Sequence, residues 1–196
     1  MAVYIALLRG INVGGHNKIQ MAKLRETLQA AGLEAVRTYI QSGNIAFAAA
    51  ASEEQVRELV ARAIASDFGL QLEVVLRTAA ELEALIAANP YADRELGERE
   101  SVQVCFLNAA PEEALTGGVT DYESEVVDYR IVGRDIYQLY HQGLRDAKLP
   151  PALNKLWKRA TMRNWRTVLK LRELAEQTAR EAGECTTNAT RTGPSV

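Results

Sequence analysis

Over residues 1–78 the hydrophobic pattern changes period in the order strand, helix, strand, strand, helix, strand, and few folds accept that order in so short a span. "AVYIALLR" is an apolar run that ends in a glycine-rich turn, which predicts a strand over Val3–Arg9. Met21, Leu24, Leu28 and Ala31 then recur at helical spacing, with Gly32 after them where a C-terminal cap belongs. "VRTYIQ" alternates, and "NIAFA" follows it across the turn dipeptide "SG", so two antiparallel strands form a hairpin. Ser52 precedes Glu53, Glu54 and Gln55 as an N-cap with acids in the first turn, and Val56, Leu59, Val60, Ala63 and Ile64 make the apolar face of a second helix. "LQLEVVLR" supplies the fourth strand. The β-α-β-β-α-β order is the split-βαβ, ferredoxin-like arrangement.

The second half partly repeats this order. A helix is predicted over Thr78–Ala88, then a loop with Pro90, a strand "SVQVCFLN" and a short helix opened by Pro111. "SEVVDYRIVG" and "DIYQLYHQG" pair as a hairpin across Gly133 and Arg134. A helix from about Asn154, or two helices broken near Thr161, ends near Gln177. The expected class is α+β, two ferredoxin-like α/β-sandwich subdomains over 1–78 and 79–178 with a C-terminal helix. Residues 179–196 have little apolar content and no periodicity, which predicts a disordered tail.

Apolar residues make up 47% and charged residues 24% of the 196, a globular balance far from the signature of disorder. There is no basic leader and no apolar run of about 18 residues, so neither a signal peptide nor a membrane span is expected, and the cytoplasm is the default location. Cys105 and Cys185 lack a CxxC spacing, and Cys105, in an apolar run, reads as a buried inert thiol. His16 and His141 belong to no H-E-x-x-H or cysteine-histidine ligand set, so no metal is expected, and no G-x-S-x-G marks a serine hydrolase. No motif assigns a reaction or a cofactor. The net charge of −2 argues against a general nucleic-acid binder, but its distribution is uneven. Arg145–Arg172 holds nine Lys or Arg against Asp146, and Asp93–Asp128 holds ten acids against Arg94 and Arg99. Such asymmetry steers an anionic ligand or lets two parts of the molecule attract each other. Within the acidic stretch, Glu98 and Glu100 read as a solvated loop.

Three stretches carry the candidate chemistry. "RGINVGGHNKI", Arg9–Ile19, lies where a βα turn points N–H groups at whatever sits above the following helix; Gly14 and Gly15 permit close approach of an anion, Arg9 and Lys18 flank it, and His16 is a candidate acid or base. Its glycines are equally explained by positive φ in a tight connection. It is neither a P-loop nor G-x-G-x-x-G. In "YIQSGN", Tyr39, Gln41 and Asn44 share a strand face with Arg37 and Tyr4, while Val36, Ile40, Ile5 and Leu7 point to the other; Ser42 and Gly43 form the turn. A polar, aromatic face suits a ligand platform or internal packing. In "KLWKRATMRNWRTVLKL", a helix from Met162 would put Trp165, Val168, Leu171 and Ala175 on a core side and Arg163, Arg166 and Lys170 on a cationic one, with Asn164 between.

"ALLRGINVGGHNKI", "RTYIQSGNIAF" and "RATMRNWRTVLKL", in that order and spacing, closely resemble the bacterial family known as domain of unknown function 1697, over roughly Met1–Gln177. The resemblance implies two α+β subdomains with ferredoxin-like features and no established activity, substrate or catalytic residue. It draws Arg9, Asn12, Gly14, Gly15, Lys18, Ser42, Asn44, Arg163 and Asn164 together as one candidate ligand site. The leading reading is a protein that binds a phosphorylated or otherwise anionic small molecule through the glycine loop and the basic C-terminal helix. RNA or single-stranded nucleic-acid binding is the alternative, weakened because "SGNIAFAA" lacks the stacking aromatics of an RRM strand. A third reading makes the blocks structural and places function in a partner protein.

Overall fold

The computed structural model describes residues 1–116, 120–142 and 151–191. By packing, the chain divides into two units, Met1–Leu82 with the chain from Lys170 onward, and Glu83–Leu169.

The first unit holds β1 (Ala2–Leu8), α1 (Met21–Ala30), β2 (Glu34–Tyr39), β3 (Asn44–Ala49), α2 (Glu53–Phe68) and β4 (Val74–Thr78), in the predicted order. Its sheet runs β2-β3-β1-β4 with every neighbouring pair antiparallel, which is the ferredoxin-like topology. Local signals act as their sequence suggests. The Ser52 hydroxyl accepts the Gln55 amide while the Gln55 side chain accepts the Ser52 amide, a capping box that starts α2, and left-handed Gly69 ends it. Leu24 and Leu28 of α1 and Val56, Val60 and Ile64 of α2 bury their side chains in one core with Tyr4, Ala6, Leu8, Ile45, Phe47 and Leu76 of the sheet.

That core corrects the expected facing of the strands. Tyr4 points toward the helices, stacks on Phe47 with ring centroids 6.1 Å apart, and donates to the Ala51 carbonyl. Ile5, Leu7, Ala46, Ala48 and Val75 alternate with the core residues along the strands, and all five are fully buried too. A sheet buried on both faces shows near-continuous apolar runs, and a period of two cannot then tell which face meets the helices. The hairpin also differs from expectation. β2 ends at Tyr39, paired with Asn44, so Ile40–Gly43 is a four-residue connection, with Ile40 at φ 48° and Gly43 at φ 78°.

The second unit contains β5 (Ser101–Phe106), α4 (Glu113–Thr116), β6 (Asp121–Tyr122), β7 (Val127–Val132), β8 (Asp135–Tyr140), α5 (Pro151–Trp157) and β9 (Thr161–Asn164). The sheet order is β6-β7-β8-β5-β9, all antiparallel. With β6 set aside as an added edge, β5-α4-β7-β8-α5-β9 has the same connectivity and strand order as the first unit. The two units are topological repeats.

Two helices connect with this repeat. α3 (Ala79–Ala87) follows β4, and its later part belongs to the second unit, where the Tyr137 hydroxyl donates to the Leu85 carbonyl at 2.6 Å. α6 (Trp165–Arg191) follows β9, and from Lys170 it belongs to the first unit, where Thr178 donates to the Ala35 carbonyl and Arg37 pairs with Glu181. Three expectations change here. Thr161–Asn164 is a strand and not the start of a helix, because it pairs with Gln103–Phe106 of β5. Arg163 therefore leaves the cationic helical stripe, and Lys170 is ion-paired with Glu173. The segment read as a tail from residue 179 is helical to Arg191, with Ala182 buried; residues 192–196 lie outside the described residues. No helix among the described residues is long and apolar enough to cross a membrane.

Candidate functional site

The loop between β1 and α1 is held by its own asparagines. Asn12, at φ 54°, accepts the Ile19 amide at 2.9 Å and donates to the Ile19 carbonyl at 3.0 Å and the Gln41 carbonyl at 2.8 Å. One side chain thus ties the loop's return to its start and both to the β2–β3 connection. Asn17, at φ 48°, donates to the Gly10 carbonyl at 3.0 Å, and the Asn12 amide donates to the Asn17 carbonyl. Asparagine tolerates the left-handed region because its short amide bonds locally. Gly14 and Gly15 have φ 57° and 81° with no protein backbone close to either, so their conformation, not a close contact, accounts for both.

Against this loop lies an open groove of about 700 Å³. Asn12, Gly15, Lys18 and Ile19 line it from the loop, Gln20, Met21 and Ala22 from the start of α1, and Thr38, Ile40 and Gln41 from the hairpin. The end of α1 facing the groove is electrostatically open: the Gln20 side chain makes no capping bond, and the first turn carries no acid. A helix N-terminus left in that state presents free N–H groups and the positive end of the dipole. Lys18 adds a cation, Arg25 donates to the Thr38 hydroxyl at 2.7 Å, and among the described residues no carboxylate lines the groove.

The expected site residues separate on this geometry. Asn12, Gly15 and Lys18 line the groove, and Gly14 is their neighbour in the same loop. Arg9 is paired with Glu73 at 3.3 Å and is not part of the lining. Asn44 is fully buried and donates to the Tyr39 carbonyl at 3.1 Å and the Ser42 hydroxyl at 2.9 Å, so both residues shape the hairpin connection. Arg163 and Asn164 stand in the second unit. Arg163 is buried in β9 and donates to the Thr161 hydroxyl and the Met162 carbonyl, each at 2.8 Å; Asn164 caps α6 by accepting the Thr167 amide. The same design recurs at the end of β4, where buried Arg77 donates to the Leu76 carbonyl and Thr78 accepts the Glu81 amide at the start of α3. His16 is exposed in the loop and does not line the groove. Cys105 is buried, and burial pushes its thiol up to about 12, in keeping with an inert side chain.

Ile40 is the lining residue that the sequence concealed. It reads as a core residue of a strand, yet it is 52% exposed and left-handed, a conformation rare for a β-branched residue. Ile40→Asn is expected to leave the melting temperature within about 2 °C, because relief of roughly 1 kcal/mol of backbone strain offsets roughly 1 kcal/mol of lost partial burial. A fall of more than about 5 °C on thermal unfolding would return Ile40 to the core.

The chain belongs to the family described as "Protein of unknown function (DUF1697)", whose model matches residues 1–137. The match takes in the glycine loop and the hairpin and stops before "RATMRNWRTVLKL". No functionally curated protein matches the chain. Among solved structures, the fold is similar to that of the conserved bacterial protein SP0830 from Streptococcus pneumoniae, with 25% identity and a TM-score of 0.68, over 89% of this chain and 98% of that one.

Proposed function

We propose that this DUF1697-family protein binds a phosphorylated or otherwise anionic small molecule in the groove beside α1. The observation that carries the reading is the uncapped, acid-free first turn of α1 opening onto a groove with Lys18 at its rim. Amide donors and a dipole there favour negative charge without any side chain having to move. Ile19, Met21, Ala22 and Ile40 line the same groove, so a ligand with an apolar or planar body beside its anionic group fits better than a bare ion. Among the described residues the lining offers amides, a hydroxyl and an ammonium and no carboxylate or thiol, which supports binding and assigns no reaction. The nucleic-acid alternative needs an open sheet face, and in the first unit the face away from the helices is filled by buried Ile5, Leu7, Ala46, Ala48 and Val75.

A thermal-shift screen against nucleotides, sugar phosphates, acyl-CoA and short single-stranded RNA tests this. A ligand at 100 times its Kd adds about 2.7 kcal/mol, or roughly 5–11 °C for a chain of this size. The expected result is a shift with a phosphorylated small molecule that Lys18→Glu abolishes. A shift with RNA alone would replace the reading with the second, and no shift with any of the panel would leave the loop as architecture.

A further inference from the structure

A second cluster of charged groups lies in the Glu83–Leu169 unit, outside the groove. His141 follows β8 directly, and its amide donates to the Val126 carbonyl at 3.1 Å, which fixes where the ring stands. Its Nδ1 is 2.9 Å from Glu100 Oε1 and its Nε2 is 3.1 Å from Asp128 Oδ2. Both carboxylates are themselves held. Glu100, which closes the loop leading into β5, accepts the Gly97 amide at 3.0 Å and the Arg94 guanidinium at 2.8 Å. Asp128, on β7, accepts the Ser124 amide at 3.0 Å. The three side chains are only 16–20% exposed.

A neutral imidazole carries one N–H and one lone pair, so between two carboxylates it must turn the lone pair toward one of them. Only the imidazolium donates to both. We propose that His141 is a proton-operated latch: charged, it clamps the Tyr91–Glu100 loop and β7 to the end of β8; neutral, it releases one carboxylate and loosens the loop.

The surrounding charges are consistent with this. On the loop side Glu100 faces the ring, with Arg94 behind it and Tyr91 nearby; on the β7 side Asp128 faces it, and Arg130 of the same strand is engaged by Asp121 and Glu123. The Gly97 amide, His141 and Arg94 hold the Glu100 carboxyl down to about 2, so it stays ionised throughout the working range. Glu100 foremost, and Asp128 with it, raises the His141 pKa against the desolvation that lowers it. A base whose folded pKa is raised contributes its full stabilisation below the unfolded value of about 6.5 and loses it as pH rises through the folded value. The latch is closed in acid and opens on the alkaline side.

Hydrogen exchange of the full chain at pH 6 and pH 9, corrected for intrinsic base catalysis, reads the loop through the Arg94, Gly97 and Glu100 amides. Opening is expected to increase about tenfold, the ratio that loss of one charge-assisted hydrogen bond corresponds to. Asp128→Asn removes the second acid, so a neutral His141 can serve Glu100 alone, and the pH dependence should shrink to the residual that the Glu100 contact alone sustains. His141→Gln should exchange at pH 6 as the wild type does at pH 9. Corrected exchange that is the same at both pH values, or an equal pH dependence in Asp128→Asn, would overturn the latch. An NMR titration of the His141 ring gives the midpoint to compare; a midpoint below that of the unfolded chain would also overturn it.

Discussion

Arg163→Ala is expected to lower the melting temperature by about 6–12 °C, the size of change that about 3 kcal/mol produces in a chain of this length. Arg163 is 8% exposed, and burial pushes its guanidinium down to about 10, which leaves it charged at neutral pH. It donates to the Thr161 hydroxyl and the Met162 carbonyl from a position opposite Val104 of β5. Truncation removes the long apolar stem and leaves acceptors without their charged donor in a closed environment, and each of these belongs to the short list of changes that cost several kcal/mol. Arg77→Ala should fall by a similar amount, since Arg77 occupies the matching place in the other repeat and is 1% exposed. Arg166→Ala, exposed on α6, should stay within about 2 °C. An arginine that served only to hold a ligand would behave like Arg166. A thermal melt in which Arg163→Ala matched the wild type would remove its structural role in β9.

The elements that were legible in the sequence are those whose signals are local. Ser52 with Gln55, Gly32 and the Gly133–Arg134 turn each act within a few residues, and the structure places α1, α2 and the β7–β8 hairpin where those residues predict. What was hidden depends on distant partners. β9 is four residues long, too short for a period, and it runs directly into α6, so only its pairing with β5 makes it a strand. Beyond Gln177 the chain looks polar, but Thr178 and Ala182 are small residues buried on one side of α6, which a count of large apolar groups passes over. The candidate groove follows the same rule. The asparagines and glycines of its loop stand out in the sequence, whereas charge alone does not reveal that Arg9 is paired with Glu73 or that Arg163 is buried. The groove's other wall, Thr38 to Gln41, is contributed by a hairpin whose length the "SG" dipeptide understated.

Gly43→Ala is expected to cost about 3 kcal/mol, combining roughly 1–2 for a left-handed non-glycine residue with roughly 1–3 for forced overpacking. Gly43 has φ 78°, and a Cβ on it would stand 2.7 Å from Leu8 Cβ and 3.0 Å from Ile11 Cδ1. Neither neighbour can retreat easily: both are buried, and the Leu8 amide donates to the Gly43 carbonyl at 2.8 Å, locking the two backbones together. Gly15→Ala isolates the conformational term, because φ is 81° there and nothing lies within 4 Å of the added carbon. It should lose only about 1–2 kcal/mol. Urea unfolding of the pair separates strain from crowding, and equal losses would show that φ alone matters at Gly43. Ile11 precedes Asn12, whose amide grips Gln41 across the groove, so pushing Leu8 and Ile11 aside moves the loop against the hairpin. Gly43→Ala should therefore diminish the thermal shift given by a groove ligand beyond what its lower stability explains, since the residue that closes the hairpin also sets the spacing between the two walls of the groove.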